Sequence, residues 1–312
     1  MMSLISIVTP CYCEQDNVRL LYERIRSVFA TGFPQHDYEH IFIDNASTDK
    51  TVARVKELCA EDKRVKLIVN TRNFGHIRSP YHGMLQARGD AVILMASDLQ
   101  DPPECIESFI THWEKGYKLV LGVKRQELGS PVMAAVRKHY YKLLERLSDV
   151  EIVRDFTGFG LYDRAVLDDL RGLNDAYPYL RGIISELGYE PALVPFDKPP
   201  RKRGITHNNF YTLYDMAMLG ITNHSKVPLR LATLLGFGVS LLSLCAGFFY
   251  MAYKLIFWDQ FVVGMAPMVI GMFFFGAVQL IFLGIVGEYV GAIHTQVLAR
   301  PLVIEKERVN FD

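Results

Sequence analysis

Ala91-Val92-Ile93-Leu94-Met95 runs straight into Ala96-Ser97-Asp98-Leu99-Gln100-Asp101-Pro102-Pro103-Glu104. An unbroken apolar run bounded by polar and turn-forming residues reads as a buried strand. The segment after it brings a carboxylate and an amide to the strand's carboxyl end, where open α/β sheets bind ligands. Asp98 and Gln100 are two positions apart, so an extended backbone would project them from one side. Such oxygen ligands suit a hard divalent cation, Mg²⁺ or Mn²⁺, with phosphate oxygens and water completing the shell. The twin prolines suppress further strand pairing and predict a helix start with Glu104 in its first turn. For this stretch alone, an acidic surface loop ending in a helix cap is the plainer alternative.

Outward from this stretch the same grammar repeats. Residues 5–8, 40–43, 65–69 and 119–121 are short β-type runs. Helix-length segments separate them, among them residues 17–29 and 51–60, the latter with Asp49 or Ser47 as cap. Alternating β and α predicts a mostly parallel sheet with helices on both faces. Residues 131–150 read as a further helix, and 156–195 as a less regular α+β completion of the same domain.

Lys plus Arg and Asp plus Glu each total 34 in 312 residues, so global charge selects neither nucleic acid nor an acidic partner. Cys11, Cys13, Cys59, Cys105 and Cys245 are odd in number and scattered, which argues against a disulfide framework. Cys11-x-Cys13 has no second cysteine pair nearby, so zinc is not expected. The amino terminus lacks a basic residue and its apolar run is short for a signal peptide, so this end is expected in the cytosol.

The positive mean hydropathy, +0.12, has a local source. Residues 231–253 and 260–287 hold 23 and 28 consecutive residues without a charge. At about 1.5 Å per residue each exceeds a hydrocarbon core of roughly 30 Å, which predicts two membrane helices. Lys226 and Arg230 precede the first span, and Arg300, Lys306 and Arg308 follow the second, while the turn between is nearly neutral. The positive-inside rule then places the folded domain and the tail in the cytosol. Before the first span, Phe210, Tyr211, Leu213, Tyr214, Met216, Met218 and Ile221 recur at helical spacing. They read as an amphipathic helix lying in the headgroup region or, equally, as an ordinary packing helix.

Three further segments join the first: Pro10-Cys11-Tyr12-Cys13-Glu14, Asp44-Asn45-Ala46-Ser47-Thr48-Asp49, and Asp155-Phe156-Thr157-Gly158-Phe159. Together with Ser97 to Glu104, these motifs resemble the family-2 inverting glycosyltransferases of GT-A fold. The likeness is nearest to the polyprenyl-phosphate branch, that of dolichol-phosphate mannose synthase and bactoprenol glucosyltransferases. With the two spans it extends over nearly the whole chain. The resemblance implies a GT-A domain over residues 1–205, a juxtamembrane amphipathic helix over 206–227, a transmembrane hairpin over 228–290 and a cytosolic tail over 291–312. It implies transfer of a hexose, with inversion, from a nucleotide sugar to a polyprenyl phosphate, with UDP-glucose as the default donor.

Residue by residue, the resemblance puts Pro10, Tyr12, Glu14, Asp44, Ser97 and Asp98 around the donor. Asp98 and Gln100 would hold Mg²⁺ or Mn²⁺, and Asp155 would act as base or orient the acceptor. Arg125, Arg137, Arg201 and Arg203, with Lys138, would meet the acceptor phosphate, since arginine forks match its oxygens. A membrane location, a lipid acceptor and self-association into a homo-oligomer through Gly287 and Gly291 are expected, and nucleic acid is not. The chain departs from the family pattern at four places: Ala96 replaces the first Asp of Asp-x-Asp, Asn45-Ala46 replace Asp-Gly, Cys13 stands where Asn is common, and Ile205 and His207 replace an acidic and a basic residue. Two rivals remain at this stage. A processive polysaccharide synthase would show more spans and a Gln-x-x-Arg-Trp motif, which Trp113 and Trp258 do not supply. A non-catalytic nucleotide-sugar-binding scaffold or translocation partner draws on the missing aspartate.

Overall fold

The computed structural model describes residues 3–125, 153, 155–173, 175–199, 225–257 and 265–311. The helix expected at 131–150 and the amphipathic segment before the first span lie outside them.

Strands β1 (Leu4–Cys11), β2 (Asp37–Asp44), β3 (Val65–Asn70) and β4 (Ala91–Leu94) are parallel and hydrogen-bonded in the order β4-β1-β2-β3. Helices α1 (Val18–Gly32), α2 (Thr51–Glu61) and α3 (Gly75–Gln86) connect them. Each strand carries a short apolar run, such as Ile41-Phe42-Ile43 in β2, because helices cover both faces of the sheet. Ile5, Ile7 and Ile93 pack with Leu21, Ile25 and Phe109 on one side. Val8, Ile41 and Ile43 pack with Tyr81 and Met84 on the other, as the period of two requires. Gly83 lets α3 lie close on the sheet: a Cβ there would stand 2.8 Å from Val8 Cγ1.

Beyond β4 come α4 (Cys105–Glu114), β5 (Leu119–Lys124), β6 (Phe156–Asp163), α5 (Arg164–Gly172), α6 (Leu180–Glu186) and β7 (Pro191–Phe196). They complete one half of the sheet as β7-β5-β6-β4, with β6 antiparallel to both neighbours. Glu104 is not in the first turn of α4 but at its N-cap position, and pairs with Arg24 at 2.6 Å. Pro102 and Pro103 are taken up in two successive turns, their carbonyls accepting the Cys105 and Ile106 N–H groups, so the helix starts later. In α2, Lys50 holds the N-cap position, and Asp49 Oδ1 accepts the Thr51 N–H at 2.9 Å.

α7 (Val227–Ile256) and α8 (Met265–Val297) follow. Both contain apolar stretches, Val227–Ile256 and Ile270–Val297, long enough to cross a bilayer, and neither stretch is buried within the chain. The Tyr289 hydroxyl donates to the Ser225 carbonyl at 2.6 Å, holding the start of α7 against α8. Past α8 the chain does not remain a loose tail. Strand β8 (Glu305–Val309) joins the sheet antiparallel to β3 and forms its edge.

Candidate active site

A cleft of about 870 Å³ opens at the carboxyl ends of β1, β2 and β4. The start of β6 reaches the same end because that strand is antiparallel, and contributes Thr157 and Gly158. α3 presents His76 and α6 presents Arg181 at their first turns. Four non-glycine residues with left-handed backbone sit in the loops at this end: Cys13, Ala46, Leu99 and Asp155, with φ of 57°, 63°, 59° and 56°. Such conformations strain an L residue, and they gather where backbone must be re-aimed at a ligand.

Pro10, at the end of β1, and Tyr12 and Glu14, just beyond it, form one wall. Tyr12 is half-exposed and offers a ring face, while Glu14 is buried and accepts from Asn17 Nδ2 at 2.6 Å. Asp44 lies beneath this wall, fully buried. Its Oδ1 accepts the Ser47 N–H at 2.9 Å and its Oδ2 the Ser47 hydroxyl, which in turn accepts the Cys13 N–H at 2.9 Å. Burial pushes its carboxyl above the usual range, partly offset by these Ser47 bonds. Asn45, beside it, does line the cleft. Its Oδ1 accepts from Phe74 N at 2.9 Å and Asn70 Nδ2 at 3.2 Å, and its Nδ2 donates to Asn73 Oδ1 at 2.8 Å and the Gly75 carbonyl at 3.1 Å. That amide therefore ties the ends of β2 and β3 to the loop opening α3.

Ala96, Ser97, Asp98 and Gln100 form the opposite lip. The backbone here is a turn and not the extended segment expected, because Leu99 is left-handed. Asp98 and Gln100 still reach one cleft, with Asp98 Oδ1 accepting the Gln100 N–H at 3.1 Å. Gln100 Nε2 leans on the Pro199 carbonyl at 3.5 Å, so its Oε1 is the ligand atom on offer. Asp101 also lines the cleft but is nearly buried, its Oδ2 accepting the Ala96 N–H at 2.9 Å. Burial lifts its carboxyl to about 6, against that hydrogen bond and with help from Asp98.

The basic side of the cleft is built differently from expectation. Arg125 is largely exposed and pairs with Asp197 at 3.3 Å, away from the cleft lining. Its neighbour Lys124, at the end of β5, lies beside Lys198, which does line the cleft. Burial, then the adjacent Lys198 charge, holds the Lys124 ammonium down at about 8. The signal for Lys124 was parity: side chains alternate across β5, so adjacent residues at its end diverge. Arg137, Lys138, Arg201 and Arg203 lie outside the described residues. Asp155 occupies the turn before β6, where its carbonyl accepts the Lys124 N–H at 3.3 Å. Its side chain is not part of the cleft lining, which passes to Thr157 and Gly158. Burial, then the Arg181 charge, pushes the His76 imidazole below its usual pKa.

Residues 6–171 match glycosyl transferase family 2, more than half of the chain. The chain belongs to that family. It is 35% identical over 301 residues to an uncharacterized glycosyltransferase of Synechocystis sp., covering 96% of this chain and 94% of that one. It is 32% identical over 305 residues to the bactoprenol glucosyl transferase of Shigella phage SfII, covering 97% of each. Among solved structures, glucosyl-3-phosphoglycerate synthase of Mycobacterium tuberculosis, in complex with uridine diphosphate, aligns with TM-score 0.48 and 19% identity over 70% of this chain and 78% of that one. The chain is thus a glycosyltransferase, a transferase enzyme of GT-A fold with two C-terminal helices apolar enough to span a membrane. For this glycosyltransferase, Asp98 and Gln100 fit a hard divalent cation: both donors are oxygens, both line the cleft, and the Gln100 amide is oriented by Pro199.

Proposed function

We propose that this glycosyltransferase moves a hexose from a nucleotide sugar, with UDP-glucose the preferred donor, to the phosphate of a membrane polyprenyl phosphate, inverting the anomeric carbon. One observation carries the reading. A single cleft joins the Asp98–Gln100 lip, suited to a cation and diphosphate, to a Lys124–Lys198 pair with Arg181, suited to a second phosphate. That cleft belongs to a chain ending in two unburied apolar helices, and relatives at about 32% identity are bactoprenol glucosyl transferases.

In this reading Pro10 and Tyr12 hold the nucleoside, and Asn45 fixes the wall formed by the start of α3. Lys198 and Lys124 draw the lipid phosphate to the anomeric carbon. One phosphate oxygen forms the new bond as the bond to the nucleoside diphosphate breaks, and the bonding pair leaves with the diphosphate. A cation at Asp98 and Gln100 supplies charge stabilisation for that leaving group. The second pKa of a phosphate is about 6, so the nucleophile is already ionised and no strong general base is needed. Catalysis then rests on positioning and fixed charge. α7 and α8 cross the bilayer as a hairpin with the catalytic domain in the cytosol.

Full-length protein in detergent or nanodiscs, given undecaprenyl phosphate and a panel of nucleotide sugars, is expected to release nucleoside diphosphate only when lipid phosphate is present. The lipid should gain one hexose in its mass spectrum. Release that ignores the lipid, or no turnover with any donor, would overturn the assignment.

A further inference from the structure

We propose that Arg72, Arg78 and Arg300 form a binding site for the phosphate of an anionic phospholipid, through which the catalytic domain docks on the bilayer beside its cleft. The proposal rests on the reading of α7 and α8 as a membrane hairpin, which puts the end of α8 at the lipid surface.

Arg72 follows β3, Arg78 lies in the first turn of α3, and Arg300 comes just after α8. Folding gathers them around one ring. The Arg72 Cζ stands 4.0 Å and the Arg78 Cζ 5.7 Å from the centre of the buried Phe74 ring. Arg78 also donates to the Pro301 carbonyl, next to Arg300. Thr71 fastens the same strap, its N–H and hydroxyl donating to the Ile304 carbonyl at 2.9 and 3.1 Å. A ring face and carbonyl oxygens carry no net charge, and among the described residues none of the three arginines pairs with a carboxylate. Asp175, which shares a small cavity with Arg300, already accepts from Gln296 Nε2 at 2.6 Å and the Tyr177 N–H at 2.8 Å. Glu305, further along the strap, is taken by Arg308 and His82. Arg78 Nε is buried with no hydrogen-bond partner among the described residues. Burial, then the Arg72 and Arg300 charges, hold its guanidinium below the usual arginine range.

Three guanidinium groups held together without an acid call for an anion, and their forks match phosphate oxygens. The position selects the source. Arg300 leaves the end of an apolar helix that no part of the chain buries, where headgroup phosphates stand and basic side chains attract anionic lipid. The strand order separates this site from the acceptor side: the arginines sit by β3 and β8 at one edge of the sheet, whereas Lys124 ends β5 in the other half. The cleft is nonetheless adjacent, because Asn73, Gly75 and His76, between Arg72 and Arg78, line it. A headgroup held here fixes that wall against the membrane from which a lipid acceptor would come.

The test is native mass spectrometry of the full-length protein in detergent, titrated with dioleoyl phosphatidylglycerol or, for comparison, the zwitterionic dioleoyl phosphatidylcholine. Wild type should retain phosphatidylglycerol at least about tenfold more tightly. Arg300→Gln should weaken that binding about fivefold, and Arg72→Gln with Arg300→Gln about thirtyfold. Arg300 makes no side-chain hydrogen bond among the described residues, so its single variant decides alone should the double one fail to fold. Arg54→Gln, an exposed arginine on α2, removes the same charge elsewhere and should change nothing. No preference for phosphatidylglycerol, or an equal loss in Arg54→Gln, would overturn the proposal. Displacement of the lipid by inorganic phosphate would overturn it in favour of a free anion, and displacement by equimolar undecaprenyl phosphate in favour of the acceptor. Thiol labelling on either side of the membrane tests the hairpin separately. A spanning hairpin without lipid preference refutes the site alone, whereas lipid preference without spanning upholds the site and refutes the docking.

Discussion

Ala46 adopts φ 63°, where the Cβ of an L residue crowds the following carbonyl at a cost of about 1–2 kcal/mol. Glycine is free of that strain, which explains why Asp-Gly is the usual pair after the second strand in the family pattern. Ala46→Gly should therefore stabilise the protein by about 0.5–1 kcal/mol, after the larger unfolded-state entropy of glycine is subtracted. A higher midpoint in denaturant unfolding checks it, and a lower one contradicts it. Asn45 uses both lone-pair directions and both amide hydrogens. Asn45→Asp would set a carboxylate oxygen against Asn73 Oδ1 and the Gly75 carbonyl, at a cost of about 1–3 kcal/mol. We expect nucleotide affinity to fall about tenfold or more, and to fall no less than in Asn45→Ala; calorimetric titration of UDP and GDP measures it.

Lys124 gives the site a pH signature. Burial and Lys198 hold its pKa near 8, so its charge is present below that pH and lost as pH rises through it. Acceptor KM should accordingly rise above about pH 8 in wild type. Lys124→Arg, charged at every working pH, should flatten that limb, and an unchanged profile would remove Lys124 from the acceptor side.

At the scale of elements, β8 is the unexpected one. Glu305-Lys306-Glu307-Arg308 has no apolar alternation, yet it pairs with β3 and gives the sheet a charged edge that resists further pairing. Around it, His82 meets Glu305, Lys56 meets Glu307 at 2.7 Å, and Asn310 donates to the Cys59 and Val65 carbonyls at 2.8 Å. Asn310 is itself left-handed at φ 61°, which asparagine tolerates better than most residues. Asn310→Ala removes two hydrogen bonds and should cost about 1–2 kcal/mol. Hydrogen exchange should then quicken first in β8 and β3; a change confined to α7 and α8 would contradict the assignment.

For the whole molecule, β8 constrains topology. The chain leaves the domain at α7 and returns to the same sheet after α8, so both helices cross a bilayer or neither does. A single crossing would put β8 and β3 on opposite sides of the membrane. With both crossing, a cysteine placed at Gln260 in a background lacking native cysteines should react with an impermeant thiol reagent in intact cells. Cysteine at Lys306 should react only after lysis. Labelling of both positions, or of neither, in intact cells would refute a spanning hairpin.

The primary structure by itself determined the elements whose signal is local. Short apolar runs within β1 to β4, such as Ile41-Phe42-Ile43 and Ala91 to Leu94, report burial on both faces, and two charge-free stretches report helices long enough for a bilayer. The chemistry at the strand ends was legible because a parallel sheet delivers every such loop to one side. Tertiary structure decided what depends on distant partners or on the parity of a strand's end. Residues 305–309 become a strand only because β3 offers an unpaired edge more than 230 positions earlier. Lys124 and not Arg125 stands by the cleft because β5 ends in that register. Asp44 turns under the wall because Ser47 captures it, and Asp101 sits nearly buried at the edge of the cleft because the Ala96 N–H holds it. Periodicity encodes which residues are buried, whereas the aim of a loop side chain is set by whichever hydrogen-bonding group folding brings within reach.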